Sequence, residues 1–170
     1  PVRVEAPNAD GIEANNDFTG NAEDYVELIA TFISSGDQTW QNLNVPFLVS
    51  GGVITVDNGA SLTVLEGTTI EFGADAGLAV RADGSYLVAD GSASAPITFT
   101  GESKAPGAWK GLYFDSNNVN NLLNYCTIEY TGSGAFNSNG DEGAVIVWAD
   151  GQLTITNSTL ANSSAACGIN

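Results

Sequence analysis

At 170 residues with 43% hydrophobic content, the chain is long enough to bury one real core and is not disordered. Twenty acidic residues against four basic ones leave a formal net charge of −16, which sets it against nucleic acid backbones and anionic membrane surfaces as partners. The absence of His excludes imidazole catalysis, His-ligated zinc and His-based triads, and no apolar run approaches the roughly 18 residues of a membrane span.

Residues 1–22, PVRVEAPNADGIEANNDFTGNA, are acidic and poor in periodic apolar positions, and no basic region followed by an apolar one opens the chain. They read as a leader or linker on the surface of a trimmed protein, ordered only if docked. Residues 23–50 are expected to cap the domain. Within them, Tyr25 to Ile33 fits a helix presenting Tyr25, Leu28, Ile29 and Phe32, or a strand burying Val26 and Leu28; the β-branched content and the Ser34-Ser35-Gly36-Asp37 break favour strand.

From residue 51 to 170 one phrase recurs: two apolar residues separated by one, then a turn bearing Gly or Asn. Its instances are Ile54/Val56, Leu62/Val64, Ile70/Phe72, Leu78/Val80, Ile97/Phe99, Leu112/Phe114, Ile128/Tyr130, Val145/Val147 and Leu153/Ile155. Alternate residues of a strand face opposite ways, so each phrase plugs two side chains into a core. Short strands at regular intervals predict a solenoid of parallel coils, a pattern that a sandwich can imitate. Gly59, Gly67, Gly73 and Gly77 are expected at bends that need a left-handed backbone.

Cys126 is expected inward with Leu123 and Ile128. Aligning Ile155 to Leu160 beneath that strand puts Ser158 at the Cys126 position, which leaves Cys167 about nine residues out of register for a disulfide. Cys167-Gly168-Ile169 reads as the first plug of another coil. Either the chain is a fragment of a longer protein, or another chain completes the coil, which makes end-to-end self-association and a filament subunit candidate readings.

The succession Gly59-Ala60-Ser61-Leu62-Thr63-Val64 through Ile70-Glu71-Phe72-Gly73, then Ala95-Pro96-Ile97-Thr98-Phe99-Thr100, Trp109-Lys110-Gly111-Leu112-Tyr113-Phe114 and Leu123 to Tyr130 resembles right-handed parallel β-helix repeat proteins of bacterial surfaces, often from Bacteroidetes. The likeness runs from about Thr39 to Ile169. It implies an all-β, pectate-lyase-like solenoid of three parallel sheets, exported to the cell surface, and it implies no particular activity.

Chemistry has few candidates. Polysaccharide lyases on this scaffold use a cationic base and calcium-holding carboxylates, and only Arg3, Arg81, Lys104 and Lys110 are available; Arg81 and Lys110 are expected exposed and solubilising. Glycan hydrolysis needs two carboxylates about 5–9.5 Å apart, for which outward Glu71 and Glu129 are candidates. No catalytic residue is assigned. The inserted loop 132–143 offers Asn137, Asn139, Asp141 and Glu142 as oxygen ligands for calcium, the one candidate cofactor. Tyr113, Phe136 and Trp148 are candidate glycan-stacking residues, with Tyr125 beside them, whereas Trp40 and Trp109 are expected packed at coil corners. Outward Thr55, Thr63, Thr98 and Thr154 raise an ice-binding ladder that Glu71, Ala79, Tyr113 and Ile146 interrupt. The expected function is a non-enzymatic surface scaffold, structural or adhesive, with glycans or surface proteins as partners; the alternative is a carbohydrate-active enzyme.

Overall fold

A computed structural model describes residues 2–82 and 84–165. In Val26-Glu27-Leu28-Ile29 the apolar residues alternate, and the chain buries Val26 and Leu28 while Glu27 and Ile29 stay half-exposed, as the strand reading requires. The same two-residue grip is repeated down the chain. After β1 (Val2–Glu5), the first full coil runs through β2 (Val26–Ile29), β3 (Phe32–Ile33) and β4 (Asp37–Trp40). The second takes β5 (Phe47–Ser50), β6 (Val53–Val56) and β7 (Ser61–Val64), and the third β8 (Thr69–Phe72), β9 (Gly77–Arg81) and β10 (Tyr86–Asp90). The fourth takes β11 (Ile97–Gly101), β12 (Leu112–Asp115) and β13 (Leu122–Asn124); the fifth takes β14 (Cys126–Glu129), β15 (Val145–Val147) and β16 (Thr154–Thr156), and β17 (Thr159–Ala161) adds a further rung.

Three sheets result, ordered β1-β2-β5-β8-β11-β14-β17, β3-β6-β9-β12-β15 and β4-β7-β10-β13-β16. Neighbours are parallel, as in Phe99 pairing with both Ile70 and Ile128. The chain is a right-handed parallel β-helix, and the sandwich alternative is excluded by the absence of antiparallel pairing among the described strands. In the first sheet, Val26, Phe47, Ile70, Phe99 and Ile128 form one continuous inner column. All five are fully buried, each contributing about 1.5–3 kcal/mol of apolar transfer as an upper bound.

The two N-terminal segments play parts other than those expected. Residues 26–40 already wind a complete coil, so they do not cap. The cover comes from the leader: β1 pairs with β2, and a 3-10 turn at Ala6–Gly11 buries Ala6 and Ala9 on the core, with Val4, Ile12 and Phe18 packed beside them. The small alanines let the turn lie close over the apolar end, a fit that composition conceals.

Two further expectations change. Tyr130 is no inward plug: it sits at a corner with φ of 64°, half-exposed. Gly59 and Gly67 do take left-handed corners, at φ of 80° and 76°, but Gly73 and Gly77 have no positive φ. Gly77 is needed for space instead, because the Phe136 ring occupies the volume of its missing side chain. The pairing of Cys167 and the plug at Ile169 lie outside the described residues.

Candidate functional site

On the outer face of the second sheet, register stacks Thr55, Ala79, Tyr113 and Ile146 in one column. These would be solvent-facing, yet Ala79, Tyr113 and Ile146 are at most 2% exposed, because the 132–143 loop folds back over them. Phe136 is the loop's anchor. Its ring stacks on Tyr113 with centroids 5.3 Å apart, and it enters a slot at Gly77, where a Cβ would stand 2.8 Å from Phe136 Cζ. Trp148 packs half-buried against the same cluster.

Two cations hold the loop down. Lys110 Nζ donates to the Ala135 carbonyl at 3.0 Å, and Arg81 reaches the Phe136 carbonyl at 3.5 Å with its guanidinium 4.6 Å from the Tyr113 ring centre. Both were expected exposed and both are half-buried. Burial pushes the Tyr113 phenol up from its ordinary range, and Asp115 and Asp141 push the same way, while the hydrogen bond from Asn137 and the charge of Arg81 oppose. The sequence-derived trio Tyr113, Phe136 and Trp148 is therefore brought together, with Tyr113 buried and Phe136 and Trp148 half-exposed.

The four residues read as calcium ligands are in the same loop, where two of their side-chain oxygens, Asn137 Oδ1 and Asp141 Oδ2, already accept hydrogen bonds. Asn137 Oδ1 accepts from the Asn139 and Asp141 amides at 3.1 and 3.4 Å, and Asn137 Nδ2 donates to Asp141 Oδ2 at 2.8 Å. Glu142 is exposed and makes no side-chain hydrogen bond among the described residues. No group of three or more His, Cys, Asp or Glu placed to hold a metal occurs among the described residues.

The other cations are also occupied. Arg3 pairs with Glu27 at 3.3 Å, and Lys104 Nζ bonds Glu71 and the Gly101 carbonyl, each at 2.8 Å. Glu71 and Glu129 share one outward column with Thr100 between them, two rungs or about 10 Å apart along the sheet. Glu129 accepts from Thr100 Oγ1 at 3.1 Å. Each of the two carboxylates thus has its own partner, Lys104 for Glu71 and Thr100 for Glu129.

Residues 33–122 match the family model described as the pectate-lyase-like β-helix domain, which is more than half of the chain. The chain belongs to this family. No curated protein and no solved structure matches it.

Within this β-helix domain the threonines fall differently from the expected ladder. Thr55 lies in the second sheet and is buried, Thr98 in the first, and Thr63 and Thr154 in the third, where Val88 and Leu122 separate them. A true in-register ladder exists elsewhere: Thr69, Thr98, Thr127 and Thr159 on the outside of the first sheet. Coils of unequal length hid it. The adjoining column of Glu71, Thr100 and Glu129 keeps that face from being a regular hydroxyl lattice.

Sequence reading also passed over Tyr86-Leu87-Val88-Ala89. Leu87 and Ala89 are inward, so Tyr86 and Val88 face out, and Leu122 continues Val88 on the next rung. Apolar residues on both faces of one strand were the available signal. On the third sheet's outer face this family member leaves Tyr86, Val88 and Leu122 half-exposed side by side.

Proposed function

We propose that the chain is a non-enzymatic β-helix module of an exported bacterial surface protein, serving as a rigid structural and adhesive scaffold. The observation that carries this reading is the employment of the basic residues. Arg3, Arg81, Lys104 and Lys110 each hold a carboxylate or a loop carbonyl, so a lyase mechanism has no unengaged cation to remove a proton from a sugar ring. Continuous parallel pairing supports rigidity, because bending the solenoid would break backbone bonds on every rung. The acidic surface supports solubility outside the cell and discourages lateral sheet association.

The test is incubation of the full chain with polygalacturonate, alginate and neutral polysaccharides, with and without calcium. The expected result is no unsaturated product and no new reducing ends. Release of either, abolished by Lys104→Ala or Glu71→Gln, establishes the carbohydrate-active alternative that the family also accommodates.

A further inference from the structure

On the outer face of the third sheet, Tyr86, Val88, Leu122 and Thr154 form the floor of a hollow of about 470 Å³, walled by Val119 and Asn120. The wall is a turn built to stand up. Ser116 Oγ donates to the Ser85 carbonyl at 2.6 Å and Asn118 Nδ2 to the Gly84 carbonyl at 2.7 Å, tying the turn to the coil below. Asn121, fully buried, accepts from the Leu87 amide at 2.9 Å and donates to the Asn118 carbonyl at 3.0 Å. This network holds Val119 at the tip with 72% of its surface in water, the most exposed large apolar side chain among the described residues. Folding alone gives no return for holding a valine there.

The chemistry of the hollow is unlike the rest of the surface. The chain carries a net charge of −16, yet no residue lining the hollow is charged. The carboxylates of Asp37 and Asp90 lie at the flanks of the same sheet face, exposed. An anionic ligand is repelled by the flanks and finds no cation. The hydroxyls of Tyr86 and Thr154 and the carboxamide of Asn120 make no hydrogen bond among the described residues and border the apolar floor. A ring, aliphatic side chains and uncommitted hydroxyl and amide groups on a flat surface match the mixed face of an uncharged sugar, whose C–H side packs on apolar groups while its hydroxyls bond at the edge.

We propose that this hollow is a binding site for a neutral polysaccharide, with Tyr86 as the stacking residue and the Val119 turn as the side wall. It rests on the reading of the chain as a binding scaffold and names the surface and the ligand class. The site stands apart from the loop-covered Tyr113 cluster and from the Glu71 column.

The experiment is affinity electrophoresis of the full chain through gels holding β-1,3-glucan, β-1,4-glucan, xylan or mannan, with alginate and polygalacturonate as anionic counterparts. Retardation is expected in at least one neutral gel, unchanged by added sodium chloride, and absent in the anionic ones. Tyr86→Ala and Val119→Asp, both at outward positions and checked by circular dichroism, are each expected to weaken retention about tenfold. Phe136→Ala, on another face, should leave it unchanged. No retardation in any neutral gel, retention insensitive to both variants, or retention only in anionic gels overturns the proposal. So does binding that appears only with apolar protein surfaces. Polysaccharide cleavage would refute the non-enzymatic reading instead, and leaves this proposal to be decided by the two variants.

Discussion

Gly77 and Phe136 occupy one another's space: the aromatic ring fills the volume a side chain on the glycine would claim, 2.8 Å from where its Cβ would stand. Gly77 begins β9 with no positive φ, so its lack of a Cβ serves packing. Gly77→Ala is expected to lift Phe136 off the sheet and destabilise the protein by about 1–3 kcal/mol, the usual cost of overpacking. Thermal melting measures the loss, and limited proteolysis should cut within 132–143. In the Gly77→Ala background Phe136→Ala should cost less than it does in the wild type, because the ring has already been displaced from its packing. Equal melting of Gly77→Ala and wild type would remove the argument.

Trp109 repairs a gap in the first sheet's inner face. Gly101, paired with Phe72, has no side chain to give, and the Trp109 ring lies over Phe72 with centroids 4.1 Å apart and planes 5° from parallel. Its Nε1 donates to the Glu129 carbonyl at 2.8 Å. Trp109→Ala is expected to cost about 3–5 kcal/mol in chemical denaturation. Trp109→Phe keeps a ring on Phe72 and loses the hydrogen bond, for a smaller loss of about 1–3 kcal/mol. Equal losses for the two would show that stacking contributes nothing separable.

How much of this was readable in the chain depends on what repeated. Ile54, Leu62, Ile70, Leu78, Ile97 and Leu112 are buried because alternation within a strand is local and survives unequal coils. Register is not local. Thr69 and Thr98 became neighbours only once the turns between them had been folded, and Thr63 and Thr98, both outward, ended on different sheets. The loop's role was hidden for a related reason: Phe136, Gly77, Lys110 and Arg81 are scattered along the chain, and nothing in their spacing brings them together. Trp40 and Trp109 were read as packed, and both are fully buried.

The loop is expected to be held by Asn137 and the two cations. Lys110→Met removes the bond to the Ala135 carbonyl, and Asn137→Ala removes the bonds to the Asn139 and Asp141 amides and to Asp141 Oδ2. Each should speed proteolysis within 132–143 about five- to thirtyfold, corresponding to about 1–2 kcal/mol of local opening, while the global unfolding midpoint changes less. Because Asn137 Oδ1 and Asp141 Oδ2 are already engaged by N–H donors of the loop, wild-type cleavage should proceed equally in calcium and in chelator. Protection by calcium, lost in Asp141→Asn, would instead mark Asn137, Asn139, Asp141 and Glu142 as ion ligands.

Cys126 gives the clearest pH signature. Desolvation pushes its thiol up from 9.0 to about 12, against smaller opposing hydrogen bonds from the Asn124 backbone and Ser158. The thiol is 2% exposed, with Sγ 3.5 Å from the Ala89 carbonyl. Between pH 9 and 12 the unfolded chain has released this proton and the folded one retains it, so the unfolded state binds fewer protons and stability falls as pH rises. Below 9 both states are protonated and the contribution is complete. In a Cys167→Ala background, which leaves one thiol, Cys126 should resist disulfide-exchange reagents at pH 8 until the protein is unfolded by denaturant. Adding Cys126→Ala should flatten the decline in stability above pH 9. A thiol that reacts at pH 8 in the folded protein, or a decline unchanged by the substitution, would show that Cys126 is not sealed inside the first sheet.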